Sequence, residues 1–229
     1  RDDNSSGTVL IDEVVHYVDE HGRALRIHQV AYRALTDAGA KSLGEDLFKY
    51  RHKQQTFRVV HAETIQPAGK IDNVAREAVL VQSPQRQADS ALYDDQAEVR
   101  IIYPNVKAGS ITRAVIVVAD QVARMPDTYS YTFIWGSGWP TARERLVVDL
   151  PGNLASKLHT VTLGTNIPDP VRETLDGGRV RLSWTKTGEP KRRYEIARAP
   201  SFQNGPLVHL TTLDSWDEIG VWFTGLLKG

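Results

Sequence analysis

Apolar and polar residues alternate over most of this chain, in short runs separated by turns rich in glycine and proline. The stretch "TVLIDEVVHYVDEHGRALRIHQVAYRAL" (residues 8–35) contains two such runs. An alternation with period two is typical of a β-strand with one buried face. Residues 20–22 form a three-residue loop between the runs, and Gly22 is suited to the positive φ that such a loop needs. The pattern predicts a β-hairpin.

Further stretches repeat this pattern. "QTFRVVHAETIQPAGKIDNV" predicts a hairpin that turns at residues 67–69, and "AEVRIIYPNVKAGSITRAVIVVAD" predicts another that turns at residues 107–110. Four more strands are predicted in "SYTFIWGSG", "ARERLVVDLP", "KLHTVTL" and "GGRVRLSWTK". The two glycines of "LDGGRVRL" fit a tight hairpin turn with positive φ. Many short strands with few helical stretches predict an all-β, antiparallel sandwich with little helix before residue 214.

Two stretches lack this periodicity. "QSPQRQADSALYDDQ" is polar and interrupted by proline, so it is predicted to be a long surface loop. "APSFQNGPLVHLTTL" contains two prolines and a glycine, and it is predicted to be a tether into the last element. The resulting division is a β-sandwich domain over residues 1–205, a linker over 206–213 and a helix over 214–229.

The closing sequence "TTLDSWDEIGVWFTGLLKG" predicts a short amphipathic helix. Ser215 and Glu218 have the spacing of a capping box, and the acidic residues of the first turn complement the helix dipole. Helical spacing places the large apolar side chains on one face: Trp216, Ile219, Trp222, Phe223 and Leu226. Such a face must pack on a partner, which is either this domain or another domain that the helix opens.

Composition excludes several classes of function. Lys plus Arg and Asp plus Glu both number 28 among 229 residues, so no basic surplus favours nucleic acid or an anionic membrane. Cysteine is absent, which excludes disulfides, thiolate metal sites and a cysteine nucleophile within this sequence. No apolar run is long enough to insert into a membrane. The sequence starts at Arg1 rather than Met, so we expect an N-terminal segment to have been removed, which leaves export open.

Two motifs suggest catalysis or metal binding only superficially. Ser137 lies between glycines in "WGSGW", but the stretch lacks the full nucleophile-elbow pattern, so a flexible turn is favoured and no catalytic residue is predicted.

If residues 20–22 form the loop of the first hairpin, residue 14 faces 28 and residue 16 faces 26. His16 and His28 then lie diagonally on one face, ~7 Å or less apart at Cβ. Zinc requires further ligands and Glu13 points away, so we expect solvent-facing histidines and no metal site.

Aromatic side chains provide a third candidate. Alternate positions of one strand hold Tyr129, Tyr131, Phe133 and Trp135, and Trp139 follows the turn. If these rings were exposed, they could stack on a saccharide or hold a peptide. Packing between two sheets is the alternative, and it is favoured because aromatic residues dominate sandwich cores.

Five stretches in this order resemble a known family: "DEHGRALRIHQVAYRALTDAG", "VVHAETIQPAGK", "LYDDQAEVRIIYPNVKAGSI", "ARERLVVDLPGN" and "TTLDSWDEIGVWFTGL". The chain resembles, over nearly its whole length, the uncharacterised bacterial domain that lies immediately N-terminal to transglutaminase-like domains in exported proteins. The resemblance implies an immunoglobulin-like β-sandwich whose last stretch leads into a papain-like, Cys-His-Asp catalytic domain. The strand "ITRAVIVV", with Arg113, departs from the family's acidic and aromatic pattern and puts any partner contact through that strand in doubt.

The resemblance implies a non-catalytic accessory domain without a cofactor, periplasmic or secreted, that positions a C-terminal transglutaminase-like domain or presents a protein partner or substrate to it. Trp216, Ile219, Trp222 and Phe223 would then form the interdomain contact. The alternative function is a carbohydrate- or peptide-binding module that uses the aromatic residues between Tyr129 and Trp139.

Overall fold

Strands dominate the computed structural model, which describes residues 5–82, 95–192 and 205–227. The largest sheet has eight strands in the order β12-β13-β10-β1-β2-β8-β4-β5. Every neighbouring pair in this sheet is antiparallel except β1 and β10, which run parallel. Along the chain its strands are β1 (Gly7–Val18), β2 (Ala24–Ala34), β4 (Gln55–Ile65), β5 (Ile71–Asn73), β8 (Ile111–Asp120), β10 (Thr141–Leu150), β12 (Val171–Thr174) and β13 (Val180–Glu189).

Two three-stranded sheets complete the fold. In the first, the central strand β7 (Gln96–Ile102) lies between β3 (Glu45–Arg51) and β6 (Val79–Gln82). In the second, β14 (Leu207–Thr211) lies between β9 (Ser130–Ile134) and β11 (His159–Leu163). The protein therefore has the predicted all-β, sandwich-like fold.

The first hairpin confirms the register derived from the sequence. Val14 pairs with His28 and His16 pairs with Arg26. Gly22 has φ of 81°, the positive value that the turn required. A Cβ at this glycine would lie 1.9 Å from the carbonyl oxygen of Thr128, so the turn also needs glycine because another loop passes directly over it.

Both small sheets cover the same face of the large sheet. Directly opposed residues in neighbouring strands point to the same side. Val14 is opposed to Leu146 on β10 and to His28 on β2, and His28 is opposed to Ile116 on β8. Val14 packs in a core cluster with β9 and β14, whereas Ile116 packs in a second cluster with β7. The two small sheets therefore lie side by side, one over each half of the large sheet.

The opposite face of the large sheet is open. Tyr17, Leu25 and Ile27 lie on this face, and their side chains are exposed. An antiparallel sheet commonly buries one face and leaves the other solvated. The alternation along β1 and β2 reflects this arrangement.

Two predictions about connections were wrong. Strands β7 and β8 were predicted as one hairpin, but β7 pairs with β3 and β6 whereas β8 pairs with β2 and β4. The segment between them, with positive φ at Asn105 and Gly109, carries the chain from one sheet to another. The predicted tether is also wrong in its second half, since β14 is the buried central strand of its sheet. Most of the predicted surface loop lies outside the described residues.

The turn of "LDGGRVRL" is confirmed, because β12 and β13 pair and both Gly177 and Gly178 have positive φ, of 72° and 73°. The helices are short: α1 (Asp37–Ser42), α2 (Gly152–Ala155) and α3 (Trp216–Leu226). Among the residues that the structure describes, no helix combines the length and the apolar character needed to cross a bilayer.

Helix α3 begins where the sequence predicted, but its cap differs. Ser215 is the N-cap residue, and its side chain makes no cap hydrogen bond. The Glu218 carboxylate accepts a hydrogen bond from the backbone N–H of Asp214 at 3.2 Å, one residue earlier than a capping box requires. The capping-box prediction was therefore wrong in its contacts, although the start of the helix was right.

Candidate functional site

A cavity of about 520 Å³ lies where the two small sheets and helix α3 meet over the middle strands of the large sheet. Its size falls within the usual range for small-molecule sites. The walls come from inward-facing residues of β1, β2 and β8, from the ends of β3 and β9, and from α3. The lining includes His16, Arg26, Lys49, Tyr50, Arg51, Asp120, Arg124, Met125, Tyr129, Tyr131, Leu213, Ile219 and Trp222.

A buried histidine and tyrosine form one wall of this cavity. The Tyr129 hydroxyl lies 2.9 Å from His16 Nδ1. Burial lowers the pKa of His16 to about 3, helped by the positive charge of Arg26, so the imidazole is neutral at pH 7. Burial also raises the pKa of Tyr129, so its hydroxyl keeps its proton. Because the Tyr129 proton has no other partner among the described residues, donation to His16 Nδ1 places the imidazole proton on Nε2.

The imidazole is further fixed by two neighbours on the same wall. The Tyr131 ring packs on the His16 ring with centroids 4.0 Å apart. Burial raises the pKa of the Tyr131 hydroxyl, and Arg26, directly opposite His16 on β2, lies close enough to act in the other direction. Two buried nitrogen atoms at this wall, His16 Nε2 and Arg26 Nε, have no hydrogen-bond partner within the described part of the chain. Buried donors without partners are uncommon in proteins, so they mark this polar wall as a candidate functional feature.

The cavity lining carries a positive charge. Four cationic side chains, Arg26, Lys49, Arg51 and Arg124, face one acidic side chain, Asp120. Lys49 is paired with Glu98 at 3.1 Å. The Asp120 carboxylate accepts hydrogen bonds from the Ala24 N–H at 2.9 Å and from the Gln55 amide at 2.8 Å. Three arginines and one engaged carboxylate remain, so the cavity favours an anion.

Helix α3 closes the cavity on one side without being buried itself. Ile219 and Trp222 lie against the cavity and are half-buried. Trp216 and Phe223 are on the outer side, with 84% and 55% of their surface exposed. The structure therefore divides the predicted apolar face: one part packs on this domain and the other part is open.

The aromatic residues singled out from the sequence do not form one surface. Phe133 and Trp135 are buried in the first core cluster, so their rings are not available to a ligand. Tyr129 and Tyr131 also pack at this cluster, but they border the cavity. Trp139 lies in a different place, where its ring packs edge-on against Tyr32. Of the five aromatic residues predicted from the sequence, Tyr129 and Tyr131 are the two that border the cavity and could contact a ligand there.

Ser137 lies in a turn with local hydrogen bonds. Its Oγ donates to the Trp139 carbonyl at 2.8 Å and accepts from the Trp139 N–H at 3.0 Å. A third contact, at 3.5 Å, is with the Thr141 hydroxyl. Within the described residues, no histidine lies within hydrogen-bonding distance of Ser137 to activate it as a nucleophile.

The prediction of solvent-facing histidines was wrong. His16 is buried, with 4% of its surface exposed, because positions 14, 16 and 18 of β1 all face the core. His28 is half-buried, and its Nε2 lies 2.8 Å from an Asp12 carboxylate oxygen. Among residues 5–82, 95–192 and 205–227, no group of three or more potential ligands is arranged to hold a metal ion.

The sequence reasoning missed the arginines of the cavity. The predicted register already placed Arg26 opposite His16, on the side of the hairpin that carries Val14 and Val18. Charged and polar residues on an otherwise apolar face were the signal that could have identified this wall. Arg51 and Arg124 gave no comparable signal, since they come from a strand end and a loop.

These features define an all-β, sandwich-like domain with a positively charged, ligand-sized cleft between its layers. The chain belongs to the family described as a domain of unknown function with a solved structure, DUF3857, whose model matches residues 20–192. A search among curated protein sequences found no match.

Solved structures resemble the fold at low sequence identity. A protein named "putative protease" from Parabacteroides distasonis has a TM-score of 0.82 and 16% identity. The match covers 93% of this chain and 41% of that one, so this chain spans well under half of the length of the other protein. An M1 zinc metallopeptidase from Deinococcus radiodurans matches over 91% of this chain and 42% of that chain, at 11% identity and a TM-score of 0.44, which is too low to support an inference.

Proposed function

We propose that this domain is a non-catalytic accessory unit that positions a following transglutaminase- or protease-like domain through the outer face of helix α3. The observation that carries the proposal is the open apolar stripe on that helix. Trp216, Phe223 and Leu227 share one side of the helix, and they are 84%, 55% and 74% exposed. Contiguous exposed apolar surface of this kind is typical of a contact with another protein surface.

A neighbouring face of the same helix anchors it to the sandwich. Ile219 and Trp222 pack at the cavity, and the helix follows the buried strand β14 after a short connection. A helix held in this way would transmit a defined orientation to whatever packs on its outer side. The resemblance of the closing sequence to a junction with a transglutaminase-like domain supports that partner, and the same resemblance supports export to the periplasm or the medium.

Footprinting of Trp216 tests this proposal directly. In the 229-residue chain, hydroxyl radicals should oxidise the Trp216 ring rapidly because it is exposed. In the longer gene product, which the proposal requires to continue beyond Gly229, we expect oxidation of Trp216 to slow several-fold. Tyr17, on the open face of the large sheet, is the internal control and should react equally in both proteins.

A pair of substitutions separates an interface from a general change in stability. Trp216→Ser with Phe223→Ser should leave the melting temperature of the 229-residue chain nearly unchanged, because both side chains are exposed. In the longer product the same variant should increase proteolysis between the two domains. Equal oxidation of Trp216 in both proteins, or a gene product that ends near Gly229, would refute the accessory role.

The cavity supports a second function, that of a binding module. Tyr129 and Tyr131 are the two residues of the predicted aromatic set that border it, and its volume suits a small ligand. This role is compatible with the first, because Trp216 and Phe223 are exposed whereas Ile219 and Trp222 border the cavity. Calorimetric titration of the 229-residue chain with small ligands tests it.

A further inference from the structure

We infer that the cavity beneath helix α3 binds a carboxylate attached to an apolar group, such as the C-terminal end of a peptide. This inference rests on the binding role proposed above and specifies the class of ligand. Its basis is the combination of arginine side chains, a fixed imidazole and aromatic walls around one cavity.

The positive charge of the cavity lining favours a ligand with a negative charge. Arg26, Arg51 and Arg124 come from three different segments of the chain and converge on the cavity. Their guanidinium groups match a carboxylate in both charge and geometry. The negative charge of Asp120 repels an anionic ligand only weakly, because both of its oxygen atoms already accept hydrogen bonds from this domain.

The imidazole provides a neutral donor at the same wall. Tyr129 fixes the His16 tautomer, which leaves the Nε2–H without a partner in the described residues. Arg26 Nε is unpaired in the same way. The two nitrogen atoms have almost no exposed surface, so they add positive polarity to this wall, while the guanidinium groups of Arg51 and Arg124 contact the ligand carboxylate.

The remaining walls determine the rest of the ligand. Tyr50, Met125, Ile219 and Trp222 present aromatic and aliphatic surface around the charged end. A fully hydrophilic anion such as inorganic phosphate would leave this apolar surface exposed to water, whereas an apolar side chain next to the carboxylate would cover it. A cavity of about 520 Å³ accommodates an acylated amino acid or the last residues of a peptide.

Paired probes that differ only in the carboxylate provide the test. Calorimetry should show that N-acetyl-L-phenylalanine binds the 229-residue chain about tenfold or more tightly than its amide, as expected for a charged hydrogen bond. Arg51→Gln and Arg124→Gln should each weaken the acid by roughly tenfold and leave the amide unchanged. Arg58→Gln is the matched control, because Arg58 is exposed on the open face of the large sheet, away from the cavity, and should have no effect.

A fluorescence measurement locates the ligand. Trp222 borders the cavity, so the acid should change the tryptophan emission of the protein, and Trp222→Phe should abolish that change while calorimetry still detects binding. A hexapeptide ending in phenylalanine, with a free or an amidated C-terminus, identifies the source. If the free-acid peptide binds, the ligand is a peptide end; if only the small acid binds, it is a free organic acid, and the carboxylate chemistry holds in both cases.

Three results would overturn the inference. Equal binding of acid and amide would show that the arginines do not recognise charge. Binding of N-acetylglucosamine without either acid would refute the carboxylate while leaving the binding role intact. Failure of every probe to bind would overturn both, without affecting the Trp216 test of the accessory role.

Discussion

Replacement of Glu144 by glutamine should change how the stability of this protein depends on pH. Glu144 lies in β10, with 2% of its surface exposed, and one of its oxygen atoms accepts a hydrogen bond from the Gly136 N–H at 2.8 Å. Burial raises its pKa from the usual 4.5 to about 6, and the Asp12 carboxylate beside it contributes, although the Gly136 hydrogen bond and Lys186 act in the opposite direction. The folded protein therefore disfavours the charged form.

The pH dependence follows from this difference in pKa. Below about pH 4.5 Glu144 is protonated in both the folded and the unfolded states, so it carries no penalty. Between pH 4.5 and 6 the unfolded chain loses the proton first, and the free energy of unfolding falls as the pH rises. Above pH 6 the penalty is complete, and at about 1.4 kcal/mol per pKa unit it amounts to about 2 kcal/mol.

Glutamine keeps the carbonyl oxygen that accepts from Gly136 and removes the ionisation. Urea unfolding of wild type and Glu144→Gln should show that the advantage of the variant grows by about 2 kcal/mol between pH 4 and pH 8. This comparison between two pH values cancels any effect that does not depend on pH, such as a change in packing; the attraction to Lys186 acts only on the charged form and is already contained in the pKa of about 6. Glu20→Gln, in an exposed turn, controls for the loss of one negative charge. A difference between variant and wild type that stays constant with pH would refute the reasoning.

Two further substitutions test the packing of the fold, each by urea unfolding. Gly22→Ala should destabilise by clearly more than the roughly 1 kcal/mol expected for Gly69→Ala. Both glycines have positive φ, but only at Gly22 would a Cβ collide with another loop, so equal losses would contradict the close approach. Arg113→Ala should cost about 1.5–3 kcal/mol, because it removes an ion pair at 2.6 Å from the buried Glu63 and leaves His61 as the remaining partner of that carboxylate. Arg100→Ala, which breaks a more exposed pair, should cost at most about 1 kcal/mol; similar losses for the two arginines would show that burial of the pair is unimportant.

The resemblance drew attention to Arg113 because of its departure from the family pattern. The structure gives that residue a local role. Arg113 on β8 is directly opposite Glu63 on β4, and His61 approaches the same carboxylate at 2.6 Å. A positive residue in this strand is therefore matched within the sheet.

Sequence alone determined the local features of this protein. Alternation of apolar and polar residues located most strands, since a strand with one buried face must show a period of two. The turn residues determined the first hairpin: a three-residue loop at positions 20–22 sets the pairing of Val14 with His28. Gly22, Gly177 and Gly178 were recognised because positive φ costs glycine little.

The tertiary structure decided which strands pair across long distances. A period of two shows that a strand has a buried face, but it does not show which sheet lies against that face. For this reason β7 and β8 were predicted as partners although they belong to different sheets, and the central strand β14 was taken for a tether. Only assembly of the sheets could show that proline and glycine before β14 precede a core strand.

The candidate functional site likewise depended partly on local sequence and partly on tertiary structure. The closing helix and the two tyrosines were identified from sequence because their spacing is local. Packing decided the other features of the site. It buried His16, gave the cavity its positive charge, and placed Ile219 and Trp222 at the cavity while Trp216 stayed exposed. Arg26, Arg51 and Arg124 are far apart along the chain, and they meet only because two small sheets and a helix close over the same strands.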